Sequence, residues 1–229
     1  MGLRVAIDLD GTIADLSRAM HDIARQKFRK LQEAEPADPP PAASEGVALP
    51  ERPRLSGLGL SAYDLDRLWT HVLKIRDFWT TLPEVDDGIV TRIQRLADER
   101  RWEVLFITTR PAAAGRTTQV QSQDWLVAKG FRHPSVYVVK GSRGKVAEAL
   151  DLDAVIDDRP ENCLDVATES AAKAVLVWPR PLDRLGPGVQ GHGVVVKASI
   201  GEALDELEQM DRERRGGVVR TIKRMLGRH

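Results

Sequence analysis

Leu3-Arg4-Val5-Ala6-Ile7-Asp8-Leu9-Asp10-Gly11-Thr12 is a short apolar run that stops abruptly at two carboxylates and a glycine. The Val/Ile-rich half reads as a buried strand. Side chains two apart on a strand share a face, so Asp8 and Asp10 can converge as the chain leaves the sheet, and Gly11 permits the tight departure. Converging carboxylates repel and need a cation or a shared proton. One of them could attack as a nucleophile while the other exchanges a proton with a leaving group. Counted from Asp8, the segment is not a calcium loop of the EF-hand type: the glycine falls too early and Ala19 stands where the bidentate glutamate belongs.

Five similar runs follow: Val104 to Ile107, Val136 to Val139, Ala154 to Ile156, Ala174 to Trp178 and Val194 to Val196. Between most of them lie helical patterns, such as Ile89, Ile93, Leu96 and Ala97 on one face, or the Ser199–Glu202 capping box ahead of Leu204, Leu207 and Met210. Strands alternating with helices predict an α/β fold, a doubly wound, Rossmann-like parallel sheet. Open parallel sheets bind their ligands at the carboxyl ends of the strands. Three further groups fall there: Thr108-Thr109-Arg110, then Lys140 with Gly141-Ser142-Arg143-Gly144-Lys145, then Asp157-Asp158-Arg159. Together they supply hydroxyl donors and a cation for phosphate oxygens, and a second acidic pair for a hard metal such as Mg²⁺. Each has an ordinary reading as strand end, solvated helix start or helix cap. It is their joint occurrence, in order and each at a strand end, that points to chemistry. Gly141 to Lys145 is not a nucleotide P-loop, because the spacing is GxxGK and Val146 follows the lysine.

These motifs resemble those of the haloacid dehalogenase superfamily: Asp8-Leu9-Asp10-Gly11-Thr12, Thr108, Lys145 and Asp157-Asp158, spanning residues 3 to about 180. Within it the chain is most similar to 5'(3')-deoxyribonucleotidase-like phosphatases. That similarity runs through Ile13-Ala14-Asp15, Asp77-Phe78-Trp79-Thr80-Thr81-Leu82-Pro83 and Ile156-Asp157-Asp158-Arg159-Pro160. The resemblance implies a phosphomonoester hydrolase with an aspartyl-phosphate intermediate. Asp8 would attack phosphorus, and Asp10 would protonate the leaving oxygen and then activate water. Thr108 and Lys145 would hold phosphate oxygens, with Lys140 a rival for the lysine's role. Mg²⁺ would sit on Asp8, the Asp10 carbonyl and one of Asp157 and Asp158. Thr109, Arg110, Phe78 and Trp79 are candidate substrate contacts, the aromatic pair for a nucleotide base. Thr-Thr-Arg is also similar to the Ser-Gly-Arg of polynucleotide 3'-phosphatases, which makes a nucleic-acid end the alternative substrate.

The organisation expected is a core of residues 1–14 and 85–210, a helical cap at 15–84, and a basic tail at 211–229. The cap carries Leu16, Met20, Ile23 and Leu31 in one helical pattern and Leu65, Leu68, Trp69, Val72 and Leu73 in another. Between them, residues 34–56 hold six of the chain's 13 prolines and are expected to form a linker. The tail has seven basic side chains against Asp211 and Glu213. It is expected to be a solvated terminus, with nucleic-acid docking as its functional alternative.

Across the 229 residues, 34 Lys+Arg balance 34 Asp+Glu, so no global field draws the chain to nucleic acid or membrane. The single cysteine, Cys163, excludes an internal disulfide framework and any multi-cysteine zinc site. No stretch approaches the ~20 apolar residues of a membrane span. The expectation is a cytoplasmic protein acting on a small phosphorylated substrate.

Overall fold

A computed structural model describes residues 2–32 and 60–226. Six strands form one parallel sheet: β1 (Arg4–Asp8), β2 (Glu103–Thr108), β3 (Ser135–Val138), β4 (Ala154–Asp157), β5 (Lys173–Val177) and β6 (Val195–Lys197), in the order β3-β2-β1-β4-β5-β6. The chain winds outward from β1 to β3, then returns to place β4 on the other side of β1. In register, Val5 lies beside Val104 and Ala154, and Asp8 beside Ile107.

Period-two alternation divides each strand between two layers. Val5 and Ile7, with Phe106, Ile156 and Val175, pack under α3 (Ile89–Arg100), α4 (Thr118–Ala128) and α8 (Ile200–Leu226). Ala6, Ile107, Val155 and Leu176 face α5 (Arg143–Ala149), α6 (Pro160–Glu169) and α7 (Pro187–Gly191). Asp8 and Asp157 share the parity of Ala6 and Val155, which turns both carboxylates toward the α5–α6 layer.

The insertion between β1 and β2 contains α1 (Leu16–Gln32), α2 (Ala62–Val72) and a 3-10 turn, Phe78–Thr80. Its buried side chains Leu16, Met20, Leu68, Trp69 and Val72 belong to the same apolar cluster as Val5 and Ile7. Asp15 donates its backbone N–H to the Pro83 carbonyl and Val85 to that of Ile13, both at 2.9 Å. The chain therefore enters and leaves the insertion at one point beside the end of β1. The proline-rich linker expected at 34–56 lies outside the described residues.

α8 opens on the expected capping pair: Glu202 donates its N–H to Ser199 Oγ at 3.2 Å, and the Glu202 carboxylate accepts from the N–H of Ala198. The helix continues without interruption through Asp211, a fully buried residue, as far as Leu226. The backbone thus shows no break at the expected start of the tail.

Candidate active site

The site is built where β1 ends between β2 and β4. Gly11 adopts φ +88, and a Cβ there would stand 2.2 Å from Asp158 Oδ2. Only glycine lets the loop after β1 turn this tightly and allows the Asp158 carboxylate so close. Carboxylate oxygens of Asp8, Asp157 and Asp158 all lie within 4.8 Å of one another.

The cation that meets this acidic cluster is Arg143. Ser142 caps α5, accepting the N–H of Lys145 at 3.2 Å, and this places Arg143 in the first turn with its side chain directed inward. Its guanidinium is 1% exposed; Nη2 donates to Asp8 Oδ1 at 3.0 Å, and Nε lies 3.6 Å from Asp157 Oδ2. Gly144 makes the seat possible: a Cβ there would lie 2.1 Å from the Asp165 carbonyl oxygen of α6. The side chains of Lys145 and Lys140, the two cations anticipated for this place, are exposed. Residues 143 and 145 lie about 200° apart around a helix, so one faces the sheet while the other faces solvent. The GxxGK spacing drew attention to the lysine. The Ser142 cap was the available signal for Arg143, together with the suitability of a delocalised guanidinium for a buried ion pair.

One arginine does not offset three acids. Burial pushes Asp8 well above the ordinary carboxylate range, aided by the Asp157 charge and only partly opposed by Arg143. Burial also raises Asp157, against Arg143 and the hydrogen bonds from the Arg159 N–H and Asn162. Asp158 is pushed up to about 8 by burial, then by the charges of Asp157 and Asp10. Its buried Oδ1 has no hydrogen-bond partner. Three clustered oxygen donors, under-compensated charge and an unpaired carboxylate oxygen fit a hard divalent cation. Asp157 is already engaged by Asn162 and the Arg159 N–H, which leaves Asp158 the freer donor.

Asp10 is turned away from this cluster. Both its oxygens are taken by Arg110: Nε to Oδ1 and Oδ2 at 2.9 and 3.0 Å, and Nη2 to Oδ1 at 2.6 Å. Arg110 is 2% exposed, so the expectation that it touches substrate fails; it lies beneath the cleft, committed to Asp10 and Ser122. Phe78 and Trp79 are corrected likewise, being 1% and 0% exposed. Trp79 donates its N–H to Gln121 Oε1 and its indole Nε1 to the Pro111 carbonyl, each at 3.1 Å. The pair packs edge to face inside the core, where no base can reach it.

Thr108 and Thr109 do line the cleft, with Asp8, Asp10, Gly11 and Asp158. This cavity, of about 810 Å³, extends from the carboxylates to α2 of the insertion and to Trp178 and Arg180 after β5. Trp178 is the aromatic ring on the core side of that opening, with the Arg180 guanidinium 5.1 Å from its centroid.

Neither a protein-family model nor a curated protein matches the chain. Solved structures do. A HAD family hydrolase from Deinococcus radiodurans R1, with bound phosphate and sodium, is 15% identical with a TM-score of 0.50, over 90% of this chain and 96% of that one. A haloacid dehalogenase-like family hydrolase from Xanthomonas campestris is 13% identical, over 93% and 99%, with a TM-score of 0.49. A putative beta-phosphoglucomutase from Thermotoga maritima is 17% identical, over 90% and 99%, at 0.46. The sheet order, the carboxylate pair closing its central strand and the likeness to the Deinococcus structure together make this a haloacid dehalogenase-like fold.

Proposed function

We propose that the protein is a Mg²⁺-dependent phosphomonoesterase working through an aspartyl-phosphate, and that its substrate is a nucleotide. The observation carrying the reading is the pairing of Arg143 with Asp8 inside the cluster of three carboxylates. A nucleophilic carboxylate must approach a dianionic ester without being repelled, and a buried guanidinium beside it lowers that cost. In the first step an Asp8 oxygen bonds to phosphorus, the phosphorus–oxygen bond of the ester breaks, and Asp10 gives a proton to the departing oxygen. In the second, Asp10 takes a proton from water as the water oxygen attacks phosphorus, releasing phosphate and restoring Asp8. Thr108 and Thr109 offer hydroxyls to the phosphoryl oxygens at the cleft floor. Asp8, Asp158 and, behind them, Asp157 would hold the metal, which supplies positive charge to the phosphoryl group.

The cleft is larger than a phosphate requires and lies in the range of small-molecule sites. Trp178 gives it an aromatic wall in place of the buried Phe78–Trp79 pair, which supports a planar base as the organic part of the substrate.

The test is a phosphate-release screen across nucleoside monophosphates, sugar phosphates and 3'-phosphorylated oligonucleotides, with and without Mg²⁺, beside the Asp8→Asn variant. The expected result is Mg²⁺-dependent release, greatest for a nucleoside monophosphate, that Asp8→Asn abolishes because an amide is a poor nucleophile of nearly the same shape. Retention of more than a few per cent of activity by Asp8→Asn would overturn the mechanism. A preference for sugar phosphates would overturn the substrate assignment alone.

A further inference from the structure

Arg110 has an unusual surrounding for a side chain so close to a reactive centre. Besides the three contacts to Asp10, its Nη1 donates to Ser122 Oγ at 2.9 Å. Its guanidinium carbon lies 5.0 Å from the Trp79 ring centroid and 5.9 Å from that of Trp125. Both rings are themselves fixed, Trp79 through Nε1 to the Pro111 carbonyl and Trp125 through Nε1 to the Leu82 carbonyl at 2.7 Å. A forked, planar cation packed near two hydrogen-bonded indoles and bonded to Ser122 is held in orientation, and it presents that fork to a single carboxylate.

We propose that Arg110 is the positioning residue for Asp10: it sets the carboxylate's rotamer for proton exchange without touching the substrate, and the buried aromatics Trp79 and Trp125 hold it in place. This gives Trp79 a part in the reaction despite its burial. It lies in the segment that returns from the insertion to the sheet, and it reaches the reacting centre through the arginine. The proposal rests on the aspartyl-phosphate reading, because it assumes that Asp10 exchanges the proton. A general acid–base group must stand within hydrogen-bond reach of the atom it serves, so geometry is what Arg110 contributes.

Arg110→Lys keeps a cation but loses the fork. Kinetics would be followed on a series of aryl phosphates with leaving groups of increasing basicity. The expected outcome is a fall of about 100-fold in kcat for the more basic leaving groups, with KM within a few-fold of wild type, as for a displaced catalytic group. The loss in kcat/KM, which reports the step in which the leaving group departs, should shrink for 2,4-dinitrophenyl phosphate, whose departure needs little protonation. On the more basic leaving groups, where Arg110→Lys alone is costly, Arg110→Lys combined with Asp10→Ala should lose no more than Asp10→Ala alone. A multiplicative loss, a dependence of kcat/KM on leaving group unchanged from wild type, or a rise confined to KM would each overturn the proposal. If Arg110→Lys does not fold, Ser122→Ala removes only the bond that aims Nη1 and carries the same measurements. The reaction reading fails separately, if Asp8→Asn or Asp10→Ala retains wild-type turnover.

Discussion

Arg143 and Lys145 stand two residues apart in one turn, yet only the first is placed to neutralise buried charge. Breaking a buried ion pair by removing one partner costs about 3–5 kcal/mol, because the other charge stays behind. Arg143→Ala removes the guanidinium that meets both Asp8 and Asp157, so it should lower stability by about that amount and nearly abolish phosphate release. Lys145→Ala should change both little, since an exposed side chain away from such features shifts stability by about 0.5 kcal/mol or less. Denaturant unfolding together with phosphate-release rates on the two variants checks the ranking, and the reverse order would return the role to Lys145. The acidic half of the site was legible in part: Asp8, Asp157 and Asp158 stand at the ends of adjacent strands, but the convergence expected of Asp8 and Asp10 does not occur, because Arg110 draws Asp10 to itself. The cationic half was not, because residues in the first turn of a helix differ in facing by 100° steps, and that phase depends on the cap. Phe78 and Trp79 were misjudged for a similar reason: adjacency to the return segment says nothing about which side of the backbone meets the core.

The six Val/Ile-rich runs all became strands, and their alternation with helices was enough to predict the doubly wound sheet. Such runs are readable because a strand buried on both faces has no polar alternation to confuse. The depth at which the insertion packs was less readable. Its amphipathic helices announce an apolar face but not the partner, which proves to be the same cluster that covers the sheet. α8 raises the same issue at the other end of the chain, because a helix this long must be tied down by particular contacts. Glu206 accepts hydrogen bonds from Lys173 of β5 and Lys197 of β6, the latter pair at 2.8 Å. Those two lysines hold its carboxyl below the usual glutamate value of 4.5. A depressed native pKa means that the stabilisation is present above the unfolded value and is lost as pH falls through the folded one. Glu206→Gln should therefore cost about 1 kcal/mol at pH 7, and the difference from wild type should close as the pH drops below about 4.5. Equal destabilisation at neutral and acid pH, measured by urea unfolding, would show that α8 is anchored by packing and that the lysine bridge contributes nothing.

At the scale of the whole molecule, the sheet concentrates negative charge where the loops after its strands converge, and the folded state carries that cost permanently. Asp8 and Asp157 are buried, Asp158 is pushed up to about 8, and the neighbouring Arg110 is committed to Asp10. Arg143 is the buried cation that meets the three acids, and the half-buried Arg159 adds charge beside Asp157 and Asp158 without offsetting the remainder. A divalent cation bound in that cluster would remove the residual repulsion in the native state, whereas an unfolded chain, with its carboxylates dispersed and hydrated, gains almost nothing. Linkage would then make the ion a stabiliser of the fold, beside the part proposed for it in the reaction. At a Mg²⁺ concentration about 100 times the dissociation constant the gain is about 2.7 kcal/mol. For a chain of this size that corresponds to a rise of roughly 5–10 °C in Tm. Without the ion, Asp158→Asn should be neutral or stabilising, because the amide replaces a carboxyl that the crowded site pushes up to about 8 and so already holds mostly protonated at neutral pH. With it, the variant should lose most of the Mg²⁺-dependent rise, since it removes the one oxygen of the cluster that is buried without a hydrogen-bond partner. Thermal unfolding of wild type and Asp158→Asn across a Mg²⁺ titration, with the same ionic strength maintained by Na⁺, separates specific binding from general screening. An equal rise in both proteins, or a rise reproduced by Na⁺ alone, would remove the metal from this cluster even if the enzyme still hydrolysed phosphate esters.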